Sequence, residues 1–179
     1  MESIKIRRAE LQDAEMLTEL CWKTFWDAFH DNPKNAPEDL ADYMCSAFCL
    51  EQIRTELSAE NSIFLIAEIE NEAVGYAKLL LASREPEITG KKPIELNRLY
   101  SKQEFLGKGV GKSLIEKCLE EAEKHNCDTM WLGVWEFNPR AQAFYRKYGF
   151  YEVGKHIFQL GLDAQTDLLM QKDLNNLSK

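Results

Sequence analysis

The sequence predicts an α/β fold: one mixed sheet of about seven strands flanked by helices. Three observations predict it. Short segments with apolar residues at period two alternate with longer segments at period three to four. Several strands precede the first strand–helix–strand unit and two more close the chain, an order foreign to a simple doubly wound parallel sheet. A glycine-rich turn at Gly107, Gly109 and Gly111 joins one strand to a helix.

Residues 3–8 alternate apolar and charged side chains around Ile4 and Ile6 and read as the first strand. Asp13 then caps a helix. Its inner face carries Met16, Leu17, Leu20, Cys21, Thr24, Phe25, Ala28 and Phe29. Asn32, Pro33 and Pro37 break that pattern. Residues 38–58 form a second helical region, whole or in two pieces, with Leu40, Tyr43, Met44, Phe48, Ile53 and Leu57 as its apolar positions. Residues 62–69 and 74–82 are strands joined through a turn at 70–72, which makes them a hairpin. Residues 84–93, with Pro86, Gly90 and Pro93, are a loop. Residues 94–101 are a strand, and the glycine turn opens a helix reaching about His125, with Leu114, Ile115, Cys118, Leu119 and Ala122 buried. Residues 128–135 are a strand. Pro139 starts a short helix through Tyr148 that Gly149 ends. Residues 151–160 and 166–172 are the last strands.

A chain of 179 residues buries a substantial core, and residues 1–174 read as a single domain with a frayed tail at 175–179. Thirty acidic residues against 22 basic ones give a formal net charge of −8. That balance argues against nonspecific nucleic-acid binding. It suits a cationic small molecule, or serves solubility alone. Residues 1–8 have no apolar core of a secretory signal, and no run is long enough to span a bilayer, so no membrane partner is expected and the cytoplasm is the default. The five cysteines form no CxxC pair, and the three histidines have no ligand spacing. They predict buried free thiols and no metal site.

The most informative stretch runs from Leu99 to Leu114. Unpaired N–H groups at a helix start, beside residues without side chains, are suited to an anionic phosphate. A ligand-free tight turn is the plain alternative. A P-loop requires a glycine where Leu106 stands, although Gly111-Lys112-Ser113 matches its end, so the motif argues against an ATPase. The dinucleotide fingerprint lacks its third glycine, with Lys112 at that place.

The turn resembles the acetyl-CoA pyrophosphate loop of the GCN5-related N-acetyltransferases, [Gln/Arg]-x-x-Gly-x-[Gly/Ala]. Gly109 and Gly111 match its small positions, and Leu106 departs from the usual Gln or Arg. The resemblance continues through Asn138, Ala141, Phe144, Tyr145, Gly149 and Phe150, which match a second motif of that family, and it extends over residues 63–170. It implies a GNAT fold, acetyl-CoA as cofactor with coenzyme A as product, and cofactor contacts from Leu99, Tyr100, Ser101, Leu106, Gly107, Lys108, Gly109, Val110, Gly111, Lys112, Asn138 and Tyr145. The backbone amides of residues 106–111 take the pyrophosphate. Asn138 binds the pantetheine arm or caps its helix.

By the same resemblance Tyr145 is the general acid for the departing thiolate. Glu95, on a strand where period two groups it with Asn97 and Leu99, is the candidate base, and Glu136 is a second choice. The segments around Leu96–Tyr100 and Trp131–Glu136 are similar to those of PaiA-like polyamine N-acetyltransferases. The implied acceptor is a small-molecule primary amine, a polyamine such as spermidine or spermine. Trp22, Phe25, Trp26 and Phe29, beside Asp27, Asp31, Glu38, Asp39 and Asp42, are the residues for a cation, or else core aromatics and a solvated acidic loop. A protein or peptide N-acetyltransferase and a noncatalytic acetyl-CoA-binding regulatory module are the alternatives. The closing strands, residues 151–172, offer an edge for a homodimer.

Overall fold

A computed structural model describes residues 3–174; the expected frayed tail at 175–179 lies outside them. The strands are β1 (Lys5–Arg8), β2 (Ser62–Ile69), β3 (Glu72–Leu81), β4 (Pro93–Ser101), β5 (Thr129–Trp135), β6 (Tyr151–Leu160) and β7 (Asp163–Asp173). The helices are α1 (Ala14–Phe29), α2 (Pro37–Ala47), α3 (Leu50–Ser58), α4 (Val110–Lys124) and α5 (Pro139–Lys147). The seven strands form one sheet in the order β1-β2-β3-β4-β5-β7-β6. β4 and β5 are parallel, joined by the α4 crossover, and every other neighbouring pair is antiparallel.

Two apolar layers cover the two faces. On one, α4 and α5 bury Leu114, Ile115, Cys118 and Ala122 against Leu79, Leu96, Met130 and Leu132. On the other, α1 to α3 bury Leu17, Phe25, Met44, Phe48 and Ile53 against Phe64, Ile66 and Tyr76. Among the described residues no helix is long and apolar enough to cross a membrane.

Local chemistry accounts for most boundaries. The β2–β3 hairpin turns on Glu70 and Asn71, both at positive φ (51° and 67°), so β3 begins at Glu72, two residues earlier than expected. The second helical region is two helices: Phe48 leaves helical geometry (φ −121°) and Cys49 is extended. Asp13 stands at the N-cap position of α1 without capping it. Arg7 of β1 claims its carboxylate through two donors at 2.8 Å, and the Glu10 amide adds a third at 2.8 Å.

The loop between β3 and β4 is firmly held. The Arg84 guanidinium donates to the carbonyls of Ile88, Gly90 and Lys91, and the Asp128 carboxylate accepts the amides of Lys91 and Lys92. Ile88 is buried against Trp131 and Leu169. The loop thereby walls the α1–α3 side of the sheet over β5 and β7.

One irregularity changes which side chains face which layer. The β3–β4 register shifts between Lys78↔Arg98 and Leu79↔Leu96, so Asn97 is an extra residue, a β-bulge. Strict alternation groups Leu99 with Glu95 and Asn97. The bulge resets the phase instead: Leu99 joins the α4 layer, while Arg98 pairs with Glu56 of α3 and Tyr100 packs in the α1–α3 layer beside Phe25.

Candidate active site

β4 and β5 pair only from Pro93↔Thr129 to Glu95↔Trp131 and then separate. Beyond Glu95 the β5-facing backbone groups of β4 have no strand partner, so a polar edge opens onto the gap. The gap is a cleft of about 750 Å³ reached from both faces of the sheet.

On the α4 side the cleft meets the glycine turn. Gly107 and Gly109 have φ of 78° and 92°, a region costly to residues with a Cβ. A 3-10 turn at Gln103–Phe105 absorbs two of the six expected amides: Leu106 N–H donates to Gln103 O (3.1 Å) and Lys108 N–H to Phe105 O (3.2 Å). The first α4-type bond is Ser113 N–H to Gly109 O at 2.9 Å. The amides of Gly107, Gly109, Val110, Gly111 and Lys112 are therefore without a backbone acceptor among the described residues. A Cβ on Gly111 would project into the cleft, 3.5 Å from the Phe144 ring. Gly75 of β3 makes this docking possible, because a Cβ there would stand 2.8 Å from Tyr100 O and 2.9 Å from Val110 Cγ1.

This donor set fits a pyrophosphate: free N–H groups converge at the positive end of a 15-residue helix, with space where side chains would otherwise intrude. The contribution of Val110 is its amide alone, since its side chain is buried under the sheet. The Lys108 ammonium lies over the Phe105 ring at 5.0 Å, outside the cleft lining. Lys112 lines the cleft, as do Arg140 and Lys147, two cations the motifs do not single out because they look like solvated charges on a short helix. Leu106 lines it too and is 42% exposed, so the residue that departs from the family's loop is an open apolar side chain.

α5 brings the second motif to the same cleft. Asn138 Oδ1 accepts the Ala141 amide at 3.1 Å, a true N-cap, and the residue also lines the cleft. The helix ends on Gly149 (φ 85°), with Phe150 N–H donating to Tyr145 O (3.1 Å) and Gly149 N–H to Arg146 O (3.0 Å), the Schellman arrangement. The C-cap thus holds the Tyr145 backbone, and rings at 5.3 Å (Phe144) and 5.8 Å (Phe150) hold its side chain. Burial pushes the Tyr145 phenol well above its ordinary pKa, with a smaller push in the same direction from Cys118. Leu99, Tyr100 and Ser101 line the cleft from β4.

The α1–α3 side has a different character. Glu95 lines the cleft, and its carboxylate accepts Ser83 Oγ (2.5 Å) and Asn97 Nδ2 (2.8 Å). Phe25, Phe29, Tyr43, Trp135 and Phe158 form an aromatic wall. Asp27, held by Lys23 at 2.7 Å, and Asp167 supply further carboxylates, and His156 joins them. Burial raises the Asp167 carboxyl pKa, with His156 acting in the opposite direction. Asp167 and His156 escape a sequence reading because the pairing that joins them to β5 is long-range. Of the proposed cation-binding residues, Phe25, Phe29 and Asp27 reach the cleft. Trp22 packs into the α1–α3 layer, Trp26 stacks on His30, and Asp31, Glu38, Asp39 and Asp42 lie outside the lining. Glu136 lines a separate pocket of about 310 Å³ beside Lys34 and Phe137.

A family profile described as Acetyltransferase (GNAT) family matches residues 18–150. An uncharacterised N-acetyltransferase of Lactobacillus delbrueckii subsp. lactis is 31% identical over 97% of this chain and 99% of its own length. A spermine/spermidine N(1)-acetyltransferase of Bacillus subtilis is 27% identical, over 59% of this chain and 66% of its own. Among solved structures, the PaiA N-acetyltransferase of Thermoplasma acidophilum in complex with coenzyme A superposes with a TM-score of 0.72 at 22% identity, covering 96% of this chain and 99% of that one. The chain belongs to the acetyltransferase (GNAT) family as an acetyl-CoA-dependent N-acetyltransferase.

Proposed function

We propose that the enzyme transfers the acetyl group of acetyl-CoA directly to a primary amine of a small cationic molecule, a polyamine. The polarity of the cleft carries this reading. Its α4–α5 side offers free amides with Lys112, Arg140 and Lys147, while its other side offers Asp27, Glu95 and Asp167 among aromatic rings. An anionic cofactor and a cationic acceptor suit those opposite surroundings.

In this reading the Gly107–Lys112 amides hold the pyrophosphate, and Asn138 Nδ2 is free to meet the pantetheine arm. The thioester supplies the activated acetyl group. Glu95 accepts the proton of the attacking amine, directly or through water, and its bonds from Ser83 and Asn97 keep it aimed. A free N–H on β4 beyond Glu95 polarises the carbonyl. Tyr145 donates its proton to the departing thiolate. No cysteine lines the cleft, which favours direct transfer over an acyl-enzyme. We assign the reaction to the cytoplasm, a reading supported by five free cysteines.

The test is the release of coenzyme A from acetyl-CoA with spermidine, spermine, putrescine, aminoglycosides and short peptides as acceptors, for wild type and Tyr145→Phe. The expected result is polyamine turnover that falls about a hundredfold in the variant. Faster turnover of peptides than of any polyamine overturns the acceptor assignment.

A further inference from the structure

The acceptor half of the cleft contains a carboxylate–imidazole pair that the transfer chemistry above leaves unused. Asp167 of β7 and His156 of β6 are register partners, and Asp167 Oδ2 lies 3.6 Å from His156 Nε2, too long for a hydrogen bond. The other imidazole nitrogen, Nδ1, lies 3.4 Å from Glu85 Oε1 on the pinned β3–β4 loop. The Asp167 side chain is only 13% exposed, and the residue lines the cleft.

The space at this pair depends on one residue. A Cβ on Gly133 of β5 would stand 2.9 Å from His156 Nε2 and 3.2 Å from Asp167 Oδ2. Trp135, the register partner of Asp167 on the other side, flanks it and meets Phe29 edge-on at 6.1 Å. A largely desolvated carboxylate among aromatic faces is a receptor for an alkylammonium group. Burial already disfavours the Asp167 anion, so a cation brought beside it offsets that cost.

The attacking nitrogen must be neutral, because an ammonium has no lone pair. The cation met by Asp167 is therefore a different nitrogen of the same molecule. We propose that Asp167, beside His156, binds a second, protonated nitrogen of the acceptor and so selects diamines and polyamines over monoamines. This rests on the amine-acceptor reading above and adds the residue that reads the second charge.

Calorimetric binding of putrescine and of n-butylamine to the protein saturated with coenzyme A tests it, in wild type, Asp167→Asn and Gly133→Ala, beside initial rates with both amines. Wild type is expected to prefer putrescine about tenfold or more, and each variant to lose that preference, with unchanged coenzyme A affinity. In rates, the loss falls on KM for putrescine, and the ratio of kcat/KM for putrescine to that for n-butylamine falls toward one. Equal binding of the two amines by wild type, or a preference that persists in both variants, overturns the proposal. If Asp167→Asn also loses coenzyme A binding, Gly133→Ala decides between those results. A binding preference that depends on Asp167, with no acetyl transfer to any amine, upholds the recognition residue and overturns the transfer reading.

Discussion

Replacing Tyr145 by Phe removes one hydroxyl while leaving the ring contacts with Phe144 and Phe150 in place. The expected loss is in kcat, about a hundredfold, with KM for acetyl-CoA and the melting temperature little changed. The pH dependence follows from burial. A general acid works only while it carries its proton, and burial holds the Tyr145 phenol above its ordinary value of 10.0. Its proton is therefore retained as pH rises through 8 and 9, and kcat has no Tyr145-dependent decline below about pH 10. A wild-type decline centred near pH 9 that disappears in Tyr145→Phe contradicts the assignment. At this scale the sequence was legible where residue type and spacing suffice: the three glycines, Asn138 and Tyr145. It was blind to Asp167 and His156, which are ordinary strand residues until β5, β7 and β6 align, and to Lys78, whose burial reverses the usual expectation for a charge.

Elements position these groups through glycines that act in two ways. Gly109→Ala meets only Ile4 Cδ1 at 3.6 Å, so its penalty is the backbone conformation at φ 92°, about 1–2 kcal/mol. The expected outcome is weaker coenzyme A binding by calorimetry, as the turn relaxes and its amides diverge. Gly75→Ala has ordinary φ but drives a Cβ to 2.8 Å from Tyr100 O and 2.9 Å from Val110 Cγ1. It is expected to destabilise the fold by about 1–3 kcal/mol in urea titration and to lift α4 from the sheet. Equal stability of Gly75→Ala and wild type contradicts that account. Element identity was legible because period and punctuation are local: Pro139 starts a helix, Gly149 ends it, and the order of strands and helices follows. The bulge at Asn97 was not legible, since a bulge is defined by the partner strand. Its effect on which β4 residues face the acceptor was hidden with it.

Across the whole molecule, a buried charge network ties the α1–α3 layer to the sheet. Glu56 of α3 lies 3.0 Å from Lys78 Nζ on β3 and 2.8 Å from Arg98 Nη1 on β4, all three side chains at most 11% exposed. Desolvation pushes the Glu56 carboxyl up, and attraction to Arg98 and Lys78 outweighs it, so the folded pKa lies below the ordinary 4.5. A depressed carboxyl stabilises the fold above its unfolded value and loses that contribution as pH falls toward its folded value. Stability is thus expected to drop as pH is lowered below about 4.5, and the drop to shrink in Glu56→Gln. That variant itself is expected to cost about 3–5 kcal/mol at neutral pH, because two cations stay buried without their anion. The overall architecture was legible from element order. The splay of β4 from β5, which makes the cleft and joins the two faces, depends on where pairing stops and was not.

Direct transfer across that cleft, as proposed, has a physical basis in the thiols. Cys118 and Cys21 are buried with raised pKa values, the latter at about 11, and no cysteine lines the cleft. Initial rates over a matrix of acetyl-CoA and spermidine concentrations, with the protein's intact mass taken after incubation with acetyl-CoA alone, distinguish direct transfer from an acyl-enzyme. Intersecting double-reciprocal lines and an unmodified protein are the predicted result. Parallel lines with a stoichiometric acetylated enzyme would contradict it.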